Sequence, residues 1–271
     1  MKKIIFLDVD GTLLDSSGHV PASAKEALHR TKELGNEIVL CTGRSKCQIM
    51  DELQRIGFSG MVGCAGAYVE RLGTQIVHHT VSREQNRKMS RLCEKNHILL
   101  FSQCKDGVFV TQRDYAHGVK WLEGKNFSEE LKRVFLRDVI IDENIGESDQ
   151  VEKYLYMDAA MSRGQLQAEL GSYFTVVAPS FESDDGHSGE IGKAGISKAA
   201  GMTEYLKSTS VPKESIYAFG DSYNDIEMGR VAGCFVAMGN AVEEVKQSAD
   251  CITGSVDRDG LYLGFKILGL L

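Results

Sequence analysis

The stretch Ile4-Ile5-Phe6-Leu7-Asp8-Val9-Asp10-Gly11-Thr12 decides how the rest of the chain is read. Ile4 to Leu7 is a short, continuously apolar run that stops at polar residues, the pattern of a strand buried on both faces of a parallel sheet. Asp8 falls where that strand should end, and open parallel sheets bind ligands outside the carboxyl ends of their strands. Carboxylates at i and i+2 followed by Gly11 put one acid on the strand end and one in the turn. The glycine permits the tight backbone such a turn needs.

Outward from this stretch the chain keeps a β-α rhythm. Pro21 to Leu34 reads as a helix, with Pro21 at the first turn and Gly35 as the stop. Ile38 to Cys41 is a second strand, Ser45 to Ile56 a helix, and Met61 to Cys64 a third strand. The last third repeats the alternation: helix from Gly195 to Leu206, strand from Ile216 to Phe219, helix from Asp225 to Val231, strand from Cys234 to Ala237, helix from Ala241 to Ser248. Such alternation implies right-handed crossovers and a parallel sheet. The middle differs, with a helix near Arg83 to Lys95, short strands at Leu99 to Cys104, Val108 to Thr111, Tyr154 to Asp158 and Phe174 to Val177, and a helix near Gln165 to Leu170. The expected architecture is an α/β, Rossmann-like parallel-sheet core domain formed by residues 1–82 and 186–271. Residues 83–185 form an inserted α+β cap domain.

Bulk properties narrow the function classes. The chain has 271 residues and a net charge of −7, which argues against general binding to nucleic acid or to anionic membranes. Its seven cysteines contain no Cys-x-x-Cys pair, so zinc-ligand spacing is absent and reduced thiols in a cytoplasmic protein are expected. The N-terminal apolar run is too short for a signal peptide, and no stretch reaches membrane-spanning length. A small anionic ligand fits best, and no obligate protein partner is evident.

The chemistry that suits two acids at a strand end is phosphoryl transfer. Asp8 would attack phosphorus, and Asp10 would protonate the leaving oxygen and then deprotonate water. A magnesium ion would offset the repulsion between carboxylate and phosphate. Three further segments supply the remaining groups. Thr42-Gly43-Arg44 follows the second strand and offers a hydroxyl and backbone N–H groups to an anion. Gly192-Lys193-Ala194-Gly195-Ile196-Ser197-Lys198 offers a lysine to pair with phosphate and Asp8. Gly220-Asp221-Ser222-Tyr223-Asn224-Asp225 offers acids at i and i+4 for one hard cation. Each has an ordinary alternative, as turn, solvated lysine or helix cap, but together they place acids, a hydroxyl and a lysine at the strand ends of one sheet.

These four segments resemble the four motifs of the haloacid dehalogenase superfamily, in the branch of Cof-type phosphatases, over nearly the whole chain. The resemblance implies that Asp8 is nucleophile and Mg2+ ligand, and that Asp10 is acid/base and gives a backbone carbonyl to the metal. It implies that Thr42 and Gly43 bind phosphate. Gly195-Ile196-Ser197-Lys198 is similar to the family's Gly-Val-Ser-Lys, which favours Lys198 over Lys193. Asp221 matches a metal ligand, Asn224 a phosphate contact, and Asp225 a second metal-site acid. Met238-Gly239-Asn240-Ala241 also resembles the family pattern. Arg44, Gly66 and His187, the last within the stretch Asp184 to His187, are expected near substrate. Two positions depart: Ala65 stands where Asn is usual, and Ala199 where Gly is usual. The expected activity is a magnesium-dependent phosphatase for small phosphorylated metabolites, sugar phosphates first. A phosphomutase using the same groups and a non-hydrolytic phospho-acceptor or sensor domain are the alternatives.

Overall fold

A computed structural model describes residues 2–124, 139–179 and 186–271. It divides into two units, one of residues 1–44, 49–78 and 196–271, the other of residues 45–48 and 79–195. The sequence reading put the divisions at 82/83 and 185/186, and Asp184 and Asp185 lie outside the described residues.

The first unit is built on an eight-stranded sheet. Its strands are β1 (Ile4–Leu7), β2 (Glu37–Cys41), β3 (Gly60–Gly63), β4 (Tyr68–Arg71), β5 (Thr74–His78), β12 (Ile216–Gly220), β13 (Cys234–Ala237) and β14 (Cys251–Ile252), in the order β14-β13-β12-β1-β2-β3-β4-β5. The six from β14 to β3 run parallel, and β4 and β5 add an antiparallel hairpin. Alternate residues feed opposite cores, as the pleat requires. Ile5, Leu7, Ile38, Leu40 and Phe219 pack with α1 (Ala22–Glu33), α2 (Asp51–Ile56) and α9 (Gly260–Ile267). Ile4, Phe6, Val39 and Ala218 pack with α6 (Lys198–Leu206), α7 (Met228–Val231) and α8 (Glu243–Ser248). Helices therefore cover both faces, which is why β1 and β2 are apolar throughout rather than alternating.

The second unit holds a six-stranded sheet of β6 (Leu99–Cys104), β7 (Gly107–Val110), β8 (Val139–Ile141), β9 (Val151–Met157), β10 (Phe174–Val177) and β11 (Gly189–Lys193), ordered β10-β11-β9-β6-β7-β8. All pairs are antiparallel except β7 with β8. Tyr154, Tyr156 and Ile191 pack with α3 (Arg83–Lys95) and α5 (Arg163–Leu170) on one face. On the other, Leu99, Phe101 and Met157 pack with Tyr115 and Trp121 of α4 (Gln112–Gly124). Because β11 pairs with β9 and β10, residues up to Gly195 stay with this unit.

Three expected helices are shorter than read. Ser45 to Ile56 becomes a 3₁₀ turn at Lys46–Gln48 and α2, because Met50 is extended, with ψ 151°. The helix placed at Gly195 starts at Lys198, since Ser197 caps it by accepting from Ala200 N and Gly195 has φ +81°. The one placed at Asp225 divides into a 3₁₀ turn, Tyr223–Asp225, and α7.

Candidate active site

The site is assembled where β1, β2 and β12 end. β1 lies between β2 and β12, so the chain leaves it in opposite directions and a crevice opens at its carboxyl end. Asp8 N donates to Phe219 O, continuing the ladder by one residue, and both Leu13 N and Leu14 N turn back to Val9 O. Gly11 makes that turn, with φ +79°. A Cβ there would also run into the Asp221 carboxylate, so glycine is required twice over.

Asp8, Lys198 and Asp225 form the buried end of the site. Lys198 Nζ donates to Asp8 Oδ1 at 2.7 Å and to Asp225 Oδ1 at 2.6 Å. Asp225 Oδ2 accepts from the backbone N–H groups of Asp221 and Ser222, so both its oxygens are engaged. Asp8, Asp221 and Asp225 each offer an oxygen within 4.8 Å of the others. One lysine therefore faces three acids. Burial, reinforced by Asp225 and Asp221, pushes the Asp8 carboxyl well above the usual range in spite of Lys198. Burial and the neighbouring Asp225 push Asp221 up to about 6. Burial opposes the charge on Lys198, but Asp225 and Asp8 outweigh it and raise its pKa. The Cys41 thiol, at the end of β2, is pushed up by burial and stays inert.

The open end is formed by Asp10 and Arg44. Arg44 grips Asp10 through Nε at 2.9 Å and Nη2 at 2.7 Å, a bidentate pair. The Asp10 and Arg44 side chains are 56% and 27% exposed, whereas Asp8 is 5% exposed.

Thr42 is buried, and its hydroxyl oxygen accepts from Arg44 N, which leaves the hydroxyl proton to donate. Gly43 follows, half-buried. Asn224 Oδ1 is buried without a hydrogen-bond partner. Gly66 has φ +105°, and a Cβ there would meet the Ser197 carbonyl, so the loop before β4 lies directly against the residue preceding Lys198. In that loop Cys64 and Ala65 both adopt positive φ, at 47° and 52°. Asn tolerates that region and Ala does not favour it, so Ala65 costs about 1 kcal/mol of backbone strain.

The structure thus brings together Asp8, Asp10, Thr42, Gly43, Arg44, Gly66, Lys198, Asp221, Asn224 and Asp225 in the first unit. Lys193 and His187 belong to the second unit, where His187 Nδ1 donates to Ala159 O at 2.7 Å. Two residues had no assigned role in the sequence reading. Thr12 Oγ1 donates to Asp221 Oδ1 at 2.9 Å. Asn240 Nδ2 donates to Gly11 O at 2.8 Å while its Oδ1 accepts from Val256 N, which ties the first turn to the loop after β13. Both lay inside quoted motifs, Thr12 beside Gly11 and Asn240 after Gly239, so the signal was position rather than residue type. A cavity of about 630 Å³ between α1 and α2, lined by Lys25, Lys32, Glu52 and Arg55 among others, shares no residue with this site. No helix among the described residues is long and apolar enough to cross a membrane.

The haloacid dehalogenase-like hydrolase family model matches residues 5–264. The chain is 28% identical over 269 residues to the 5-amino-6-(5-phospho-D-ribitylamino)uracil phosphatase YitU of Bacillus subtilis (strain 168), covering 95% of this chain and 94% of that one. Among solved structures, a hypothetical protein of Geobacillus kaustophilus HTA426 superposes with a TM-score of 0.85 at 30% identity over 100% of both chains. The HAD subclass IIB sugar phosphatase BT4131 superposes with a TM-score of 0.79 at 24% identity, again over 100% of both chains, a likeness of fold.

Proposed function

The chain belongs to the haloacid dehalogenase-like hydrolase family, and we propose that it is a magnesium-dependent phosphatase acting on small phosphorylated metabolites, sugar phosphates first, through an aspartyl-phosphate on Asp8. The single observation that carries this reading is Lys198 held between Asp8 and Asp225 at 2.7 and 2.6 Å beside a third acid. A lone buried acid would be neutral and a poor nucleophile. Lys198 on the Asp8 oxygen opposes the rise that burial, Asp225 and Asp221 impose on this carboxyl, and it offers positive charge to an incoming phosphate.

In this mechanism a free Asp8 oxygen attacks phosphorus, and the bond from phosphorus to the leaving oxygen breaks. Asp10 gives that oxygen a proton, so an alcohol departs. Asp10 then takes a proton from water, which attacks the phosphorus of the aspartyl-phosphate and releases phosphate and Asp8. Thr42 Oγ1, the Gly43 backbone, Asn224 and Lys198 hold the phosphate oxygens. The donor set of Asp8, Asp221, Asp225 and the Asp10 carbonyl is all oxygen, which suits a hard divalent cation such as Mg2+. When bound, the cation neutralises carboxylate and phosphate charge. Asp225, with both oxygens already accepting, seats Lys198 and would add negative charge to the site that holds the cation. The name of YitU as a phosphatase supports the reaction class.

The test is phosphate release from para-nitrophenyl phosphate and a panel of sugar phosphates, with Mg2+ and with chelator, for the native chain and Asp8→Asn. Turnover that needs Mg2+ and disappears in Asp8→Asn is expected. No turnover of any probe, or near-native turnover in Asp8→Asn, overturns the reading.

A further inference from the structure

The turn that carries Asp10 is held by a side chain to which the chemistry above gives no part. Gly11 sits at φ +79°, and a glycine leaves the peptide that follows it free to swing. Asn240 Nδ2 donates to the Gly11 carbonyl at 2.8 Å, and Asn240 Oδ1 accepts from Val256 N at 2.9 Å. The two ends of the amide differ in kind, since Nδ2 only donates and Oδ1 only accepts, so both directions are fixed. The loop that carries Asn240 is itself braced. Gly239 N donates to Gly254 O, Ala241 N to Met238 O and Val242 N to Asp221 O. A Cβ on Gly239 would run into Ser255 N, so this loop lies directly against the segment that supplies Val256. Asn240 thus ties a stiff frame to a turn that its glycine would otherwise leave loose.

What the frame positions follows from the chain order. Gly11 is flanked by Asp10, the proposed acid, and by Thr12, whose hydroxyl donates to Asp221. The Asp10 carboxylate is gripped by Arg44. That grip has to be released when Asp10 passes its proton to the leaving oxygen and the bond from that oxygen to phosphorus breaks. At that moment the backbone sets where the carboxyl stands, and Asn240 holds the backbone at Gly11. We propose that Asn240 is a positioning residue for this proton transfer, acting through the Gly11 carbonyl and touching no reacting atom. The inference rests on the phosphatase reading and deepens it. Asn240 is exposed, so its two bonds add little to stability. Misplacing a reacting group by about 1 Å, in contrast, can slow a reaction on the order of 10²-fold. A positioning role and a merely structural one can therefore be separated.

The experiment measures kcat and KM at saturating Mg2+ for phenyl phosphate and para-nitrophenyl phosphate, esters of similar shape whose leaving groups differ in their need for a proton. It compares the native chain, Asn240→Ala, Asn240→Asp and Ser23→Ala, with folding checked by thermal melting. Asn240→Asp keeps the acceptor for Val256 N and puts an oxygen in place of the donor to Gly11 O. Ser23→Ala removes a hydrogen bond to Asp259 without touching the Gly11 carbonyl, and should leave both esters within about twofold of native. Each Asn240 variant should lower kcat for phenyl phosphate at least about tenfold, and the phenyl to para-nitrophenyl ratio at least about fivefold, with KM within about threefold. In an Asp10→Asn background the same substitutions should leave that ratio unchanged, since no acid is left to misplace. If one variant fails to fold, the other decides. Failure of both to fold, equal losses on the two esters, or the same change in Ser23→Ala or in the Asp10→Asn background overturns this inference while leaving the phosphatase reading standing. No hydrolysis of either ester by the native chain overturns that reading itself.

Discussion

Two carboxylate–cation pairs stand two residues apart in the first turn and are built in opposite ways. Asp8 with Lys198 and Asp225 is sealed in the core, where an unbalanced charge is costly and a paired one is fixed in place. Asp10 with Arg44 is open to water, where a pair is worth only about 0.2–1 kcal/mol and is readily exchanged. The difference suits the two proposed tasks. A nucleophile benefits from a fixed position and a fixed charge, whereas an acid that must give and take a proton benefits from a partner it can release.

The contrast breaks most severely at Lys198. Lys198→Met leaves three acids around an empty position, so the chain should lose turnover and about 3–5 kcal/mol of stability, read by denaturant melts. Asp8→Asn should abolish turnover in the phosphate-release assay yet raise the melting temperature in chelator, because it removes one of three crowded carboxylates. Added Mg2+ should narrow that gain. Asp10→Asn should slow hydrolysis of esters with poor leaving groups by roughly 10²–10⁴ and para-nitrophenyl phosphate by less, since a good leaving group needs less protonation. Equal losses across leaving groups would remove Asp10 from the acid role.

Protons provide a gentler probe. Between about pH 4 and 6 the folded chain holds a proton on Asp221 that the unfolded chain gives up, because burial and Asp225 raise its pKa to about 6 from an ordinary 3.8. In chelator this contribution to stability is fully present below about pH 4 and is lost as pH rises through about 6. Melts from pH 4 to 8 should show that fall, and Asp221→Asn should make it shallower, the raised Asp8 carboxyl supplying the remainder. The smallest effect is expected at the rim: Arg44→Gln should change stability by less than about 1 kcal/mol in urea melts, and less still at high salt.

The sheet core was readable in the sequence because a strand covered on both faces is apolar without interruption, as in Ile4–Leu7 and Ile38–Cys41. The site was readable because its acids, hydroxyl and lysine directly follow such strands. The hairpin of β4 and β5 was missed, since β5 is an edge strand whose first residues, Thr74 to Ile76, are exposed and carry no buried pattern. Helix α4 was missed because it buries only Asp114, Gly118 and Leu122, too few apolar positions to mark a face.

Strand order also has a consequence for synthesis. β1 takes β2 as one neighbour soon after it is made, but its other neighbour, β12, begins at Ile216. At roughly 5–20 residues per second, the edge of Ile4–Leu7 facing β12 stays bare on the ribosome for about 10–40 s. Until residue 198 is made the nascent chain carries Asp8 without Lys198, and Asp221 and Asp225 follow only with β12. A product of translation that ends before residue 198 would therefore expose both a sticky apolar edge and the Asp8 carboxylate with no lysine to balance it, which would make it a substrate for chaperones and proteases.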